Sequence, residues 1–247
     1  MKRLLLSLLR SLALLVVGVF NAGCGIEHLS GDGWCGHDCG DKVTRTYDLS
    51  DFDAIECHSA FRLTVRQAAA YRVTVTVSEH ALDDVRVRRE GNQLRLSLEH
   101  GLLDGEAQAV VELPQLRHLE AYDASRVELE GIASTDTVRL ELRGASKLEG
   151  DLTAEGLTLD LETASHAELS GTVNGLKVDA SGISEARLRA LSARRADLDL
   201  SGASSATIQV SEWLDVEAGG LSVLHYFGDP RLGRIELSGG ARLEHEH

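Results

Sequence analysis

The chain has 247 residues, and its 39 Asp and Glu outweigh 25 Lys and Arg to give a formal net charge of −14. That balance argues against a nucleic-acid partner, because phosphate binding needs a basic surface. Aromatics make up 4% of the residues and there are 2 prolines against 24 glycines, which points away from a thick globule and toward a thin, turn-rich β architecture.

Residues 1–23 read as a secretory signal. Lys2 and Arg3 form a basic start, Leu4 to Phe20 is almost wholly apolar, and Asn21-Ala22-Gly23 precedes Cys24. The apolar stretch after Arg10 is shorter than the roughly 20 residues a membrane-spanning helix needs. Small residues directly before a cysteine resemble a bacterial lipobox, with Asn21 departing from its usual aliphatic residue. The resemblance implies cleavage before Cys24 and lipidation of its thiol; plain secretion is the alternative. Loss of Lys2, Arg3 and Arg10 takes the net charge from −14 to −17. A lipidated Cys24 makes the membrane a partner through its acyl chains. Gly25 lacks the acidic character that marks inner-membrane retention in some bacteria, so the outer membrane is the expected location.

Residues 24–42 are expected to be a Gly- and Asp-rich tether between lipid and domain. Within it, Cys35 and Cys39 flank a short loop and are expected to pair as a disulfide in an oxidising compartment. A zinc site with His37 and Asp38 is the alternative, but the spacing matches no closed four-ligand pattern. Cys57 alternates with Ile55 and reads as a small buried hydrophobe.

Residues 43–247 read as one β-solenoid domain. Residues 43–114 form an irregular start or cap: Phe61 to Val65, Tyr71 to Val77, Val85 to Arg88, Leu94 to Leu98 and Ala109 to Leu113 all alternate, and Glu90-Gly91-Asn92 is a hairpin signal. Residues 115–247 carry repeats of about 20 residues, beginning LEAYDAS at Leu119, LELRGAS at Leu140, LDLETAS at Leu159, VDASGIS at Val178, LDLSGAS at Leu198, VEAGGLS at Val216 and IELSGGA at Ile235. Positions one and three are apolar and position two is acidic, the period of a half-buried strand. A small-residue turn follows, whose sixth position (Ala124, Ala145, Ala164, Ala203) is expected to fill a narrow interior corner. A second alternating run completes the coil. No coil buries its apolar face alone; stacking at about 4.8 Å closes a continuous core.

The serial Gly-Ala-Ser turns, the closing HYFGDP from His225 to Pro230, the final IELSGGA and the opening YDLSDFDAIECHSAFRLTVRQ are similar to the auto-transporter adhesin head GIN domain family. The likeness covers roughly residues 45–245, with Leu221 and Gly240 departing from the Gly-Ala-Ser pattern. It implies a single-stranded right-handed β-helix in the bacterial cell envelope and supplies no catalytic residue.

One constellation carries potential chemistry. The second coil position is always acidic: Glu120, Glu141, Asp160, Asp179, Asp199, Glu217 and Glu236, with Glu56 in the same slot. In-register stacking makes these a column in which like charges repel. The flanking position offers His118, Arg139, Lys177 and Arg234, but also Thr158, Asp197 and Asp215. The functional reading is a divalent-cation face, Ca²⁺ on carboxylate oxygens; the bland reading is a solvated acidic face. Outward Glu128, Glu149 and Glu168 alternate with Arg126, Lys147 and His166 and read as surface ion pairs. The serine ladder reads as turn chemistry, and the terminal EHEH as a frayed tail.

The expected function is a non-catalytic surface binding or adhesion module of a cell-envelope lipoprotein, for polysaccharide or a cell-surface protein. The alternative is a structural or envelope-stress scaffold that binds another envelope protein. A polysaccharide-cleaving enzyme is a remote third reading, because the coils lack the long inserts that build a cleft.

Overall fold

The computed structural model describes residues 41–100 and 106–247. The segment 1–23, Cys24, Cys35, Cys39 and the tether up to residue 40 lie outside the described residues.

The protein is all-β. Its strands are β1 (Lys42–Tyr47), β2 (Ala54–Cys57), β3 (Arg62–Gln67), β4 (Arg72–Ser78), β5 (Val85–Glu90), β6 (Gln93–Leu98), β7 (Gln108–Leu113), β8 (His118–Ala121), β9 (Arg126–Leu142), β10 (Lys147–Leu161), β11 (His166–Ala180), β12 (Glu185–Leu200), β13 (Ser205–Ala218), β14 (Val223–Phe227), β15 (Arg231–Leu237) and β16 (Arg242–Glu246), with one 3-10 turn at Glu79–Asp84. The five strands β9 to β13 each run on from one face of the solenoid to the next. They pair in parallel, with Leu159 opposite both Leu140 and Val178. The resulting ladder of Leu119, Leu140, Leu159, Val178, Leu198 and Val216 is fully buried. Deeply buried apolar side chains form one continuous core from Phe52 to Tyr226. This is the β-solenoid the alternation and the 20-residue period imply.

The turns depart from expectation in one respect. The fifth turn residue takes a left-handed conformation (Gly144, Thr163, Gly182, Gly202 and Gly220, with φ of 66–75°). That reversal throws the sixth residue outward and the seventh inward. Ala124, Ala145 and Ala203 are therefore exposed, and Ile183 and Leu221 at the same position are 69% and 70% exposed. The interior corner is filled by serine instead: Ser125, Ser146, Ser165, Ser184, Ser204 and Ser222 are all buried. A buried hydroxyl needs a partner, and each donates to a main-chain carbonyl. Ser146 Oγ reaches Arg143 O at 2.8 Å and Ser165 Oγ reaches Glu162 O at 2.8 Å; Ser204 Oγ reaches back a coil to Ala180 O at 3.1 Å.

The start of the domain is stacked out of chain order. β2 lies between β6 and β8, and β3 between β7 and β9. The β6–β7 coil thus sits outside the β2–β3 coil that precedes it in sequence. Antiparallel strands close this end: β5 pairs with β6 through the Gly91-Asn92 turn, and β1 and β4 extend β7. At the other end β15 lies beside β13 and β16 beside β14, so both form the last rung. The EHEH segment is mostly ordered strand: His245 stacks on Tyr226 at 4.6 Å with the rings nearly parallel, and its Nε2 lies 2.8 Å from Gly228 O.

Candidate functional site

Strand pairing puts the acidic residues in a single column. Glu56 faces Arg95 on one side and Glu120 on the other. Glu120, Glu141, Asp160, Asp179, Asp199, Glu217 and Glu236 then follow rung by rung without a break.

The column has two halves with different electrostatics. In the first, carboxylates lie under a canopy of cations. Glu56 takes both Arg95 Nε and a terminal nitrogen at 2.7 Å, and His58 Nε2 at 2.6 Å. The His58 ring stacks on Tyr122 at 4.4 Å. Tyr122 in turn donates its hydroxyl to Glu120 at 2.5 Å. Glu141 is held by Arg139 Nε at 2.6 Å, His118 Nε2 at 3.0 Å and Arg143 at 3.1 Å. Burial alone raises the pKa of a carboxyl. At Glu56 the hydrogen bonds from Arg95 and His58 outweigh it, and at Glu141 those from Arg139 and His118 do, so both carboxyls sit below the ordinary range. Burial and the bond to Glu120 push Tyr122 up to about 12. The carboxylates of this half, Glu56, Glu120 and Glu141, all have their partners inside the protein, which makes it a structural network.

Asp160 marks the change. Burial, and its neighbour Asp179, raise its pKa against the pull of Arg139. Beyond it the side chains open to solvent, from 15% exposed at Asp160 to 38% at Asp179, 54% at Glu217 and 59% at Glu236. Lys177 lies 3.2 Å from Asp179, and Arg234 lies 3.9 Å from both Glu217 and Glu236. Among the described residues, no three carboxylates of the column lie close enough to share one ion. Among the same residues, the group of three ligand atoms that are close enough is His225 on β14 with Glu244 and Glu246 on β16, away from the column.

Sequence reading missed a trough beside the open half. The outward column Thr137, Gly156, Gly175, Arg195, Trp213, Arg231 runs parallel to the acidic one. Gly156 and Gly175 carry no side chain on two successive rungs; the Thr137 side chain covers Gly156, 2.6 Å from where a Cβ would lie, and Gly175 stays open. A Cβ on Gly175 would meet nothing within 4 Å. The depression has a volume of about 1020 Å³ and spans five coils. One wall is Thr158, Lys177, Asp197 and Asp215. The other is Glu155 with Asn174, 2.7 Å apart, and Arg194 with Glu212, 2.8 Å apart. Trp213 stands at one end, 36% exposed. Its indole N–H donates to Asp215 at 2.7 Å, and a side chain on Gly233 would collide with the ring. Asp215 also accepts the Arg234 main-chain N–H at 2.6 Å. Those two bonds hold its carboxyl below the ordinary range.

The family model "Putative auto-transporter adhesin, head GIN domain" matches residues 51–230. The chain belongs to this family. Solved structures similar to this head GIN domain include a putative adhesin from Bacteroides fragilis, with a TM-score of 0.76 at 16% identity over 83% of this chain and 97% of that one. A putative lipid binding protein from Parabacteroides distasonis has a TM-score of 0.68 at 18% identity, over 85% of this chain and 98% of that one. A putative adhesin from Parabacteroides merdae has a TM-score of 0.65 at 14% identity, over 85% and 98%. At these identities the likeness establishes the fold. No curated protein matches in sequence.

Proposed function

We propose that this head GIN domain is a non-catalytic binding module of the bacterial envelope, anchored through Cys24, and that it holds an extended polysaccharide in the trough. The observation that carries the reading is the trough itself, a depression crossing five coils with an exposed indole at one end. An indole face stacks on the apolar face of a sugar ring, and flanking Asn, Asp, Arg and Lys side chains satisfy its hydroxyls. The rung repeat of about 4.8 Å is close to the length of one sugar unit, which suits a linear polymer lying along the axis. The serine ladder is engaged in turn bonds, and the buried carboxylates are neutralised by fixed cations. Neither is arranged as a nucleophile with a base, nor as a free acid pair flanking a bond.

Glu155, Asp197, Glu212 and Asp215 line the trough and would repel a strongly acidic polymer. A neutral or amino-sugar polysaccharide is the class favoured. Ca²⁺ on Asp199 and Glu217 is a separate, cation-dependent reading. The test is binding of the chain to a glycan panel and to whole bacterial cells, with Ca²⁺ and with a chelator. The trough reading expects binding in both conditions, lost with Gly175→Phe and with Trp213→Ala. Binding lost only with the chelator, and with Asp199→Ala and Glu217→Ala, would move the site to the acidic column. Binding that survives all four changes would place the site elsewhere on the domain, and no binding in either condition would leave the envelope-scaffold reading.

A further inference from the structure

The two ends of the solenoid are built differently. The first is capped by the antiparallel strands β1, β4 and β5, whose own outer edges are unpaired among the described residues but which keep the core beneath them (Val73, Val77, Leu96) buried. The last rung is an open parallel edge, where among the described residues nothing pairs with the outer side of β15 or β16. Its core positions are uncovered. Leu232 and Leu237 are each 46% exposed, whereas Leu214 and Ala218, their counterparts one rung earlier, are buried. Unpaired main-chain groups beside exposed leucines are a ready site for strand addition. Neither strand contains a proline or lysine to prevent it.

The order of charges along the edge selects the partner. Arg234 and Glu236 flank Ile235 on β15, and Arg242 and Glu246 flank Glu244 on β16. An antiparallel pairing with a two-fold axis through Ile235 sets Arg234 of one copy against Glu236 of the other, twice, and Ile235 against itself. The same axis through Glu244 on the opposite face sets Arg242 against Glu246, twice. The one like pair, Glu244 with its own copy, has His225 Nδ1 3.5 Å away in each copy. This is a self-complementary patch of the kind a two-fold dimer requires. We propose that two copies of the chain pair end to end through β15 and β16. Because the chain enters the stack at the capped end, such a dimer presents its two entry points at opposite extremities.

The test is sedimentation velocity of the full chain across the micromolar range, with charge reversals at the β15 pair. Arg234 is 59% exposed with ion-pair contacts of 3.9 Å, so its replacement leaves the fold intact, as circular dichroism would verify. The chain itself is expected to dimerise. Arg234→Glu and Glu236→Arg alone are each expected to weaken the dimer by about tenfold or more, since each places like charges opposite one another twice. Mixing the two single variants restores opposite charges at both contacts and is expected to restore the dimer, as is the double variant. A chain that stays monomeric, assembles beyond a dimer, or dimerises equally with either single variant overturns the proposal. So does failure of the mixture to associate. None of these outcomes bears on glycan binding in the trough.

Discussion

Arg139 joins two rungs of the acidic column: its Nε bonds Glu141 on its own strand at 2.6 Å, and a terminal nitrogen bonds Asp160 on the next at 2.5 Å. Glu141 has two further hydrogen-bonding partners in His118 and Arg143, whereas Asp160 faces Asp179. A carboxylate in the same slot therefore contributes in opposite senses on adjacent rungs.

Glu141→Gln is expected to lower stability at neutral pH by about 1–3 kcal/mol, because it leaves buried charge-assisted bonds unmade. Asp160→Asn is expected to raise it, by under about 1 kcal/mol. Denaturant midpoints measure both. The signs also separate with pH. The folded-state pKa of Glu141 lies below its ordinary 4.5, so its contribution is present above 4.5 and is lost as pH falls through the folded value. The folded-state pKa of Asp160 lies above its ordinary 3.8, so its charge costs stability at neutral pH and that cost disappears on acidification. The gain from Asp160→Asn should therefore shrink as pH is lowered toward 3.8.

The reversed turn makes a second prediction. Ser165→Ala is expected to cost about 1 kcal/mol, through loss of the buried bond to Glu162 O. Ala203→Leu, on the outward sixth position, is expected to change stability by no more than about 0.5 kcal/mol. Thermal unfolding of the two variants distinguishes this arrangement from one with alanine inside.

Glycine provides a third. A Cβ on Gly171 would lie 2.0 Å from the carbonyl oxygen of Leu152, at a φ of 118°. Gly171→Ala is expected to destabilise by more than about 2 kcal/mol. Gly175→Ala, four residues on, has open space and is expected to be nearly neutral. That contrast also makes Gly175→Phe a clean obstruction of the trough.

Much of this was legible in the sequence because period-two alternation and a 20-residue repeat each have one physical solution. Register follows from the repeat, so the acidic column could be read residue by residue. Its division was legible in part, since the flanking His118 and Arg139 give way to Thr158, Asp197 and Asp215; Arg95 and His58 were not, because they come from the out-of-order start of the stack, where no repeat fixes what lies beside Glu56. The serine and alanine positions were exchanged because size alone does not say which of two small residues faces in; the left-handed fifth residue does. The trough had a signal that went unread. Three places before the first apolar residue of the five coils that start at Leu140, Leu159, Val178, Leu198 and Val216 stand Thr137, Gly156, Gly175, Arg195 and Trp213, and a glycine in an outward ladder opens a gap. Ile183 and Leu221 are exposed on the outer turn, and nothing in the structure explains why they are large.

The most direct measurement is the fluorescence of Trp213 during titration with a glycan that binds the chain. Trp34 is the other tryptophan, so the titration uses Trp34→Phe. A saturable shift in emission, absent with Gly175→Phe, is the result expected if the polymer lies in the trough. Binding detected independently with no change at Trp213 would contradict it.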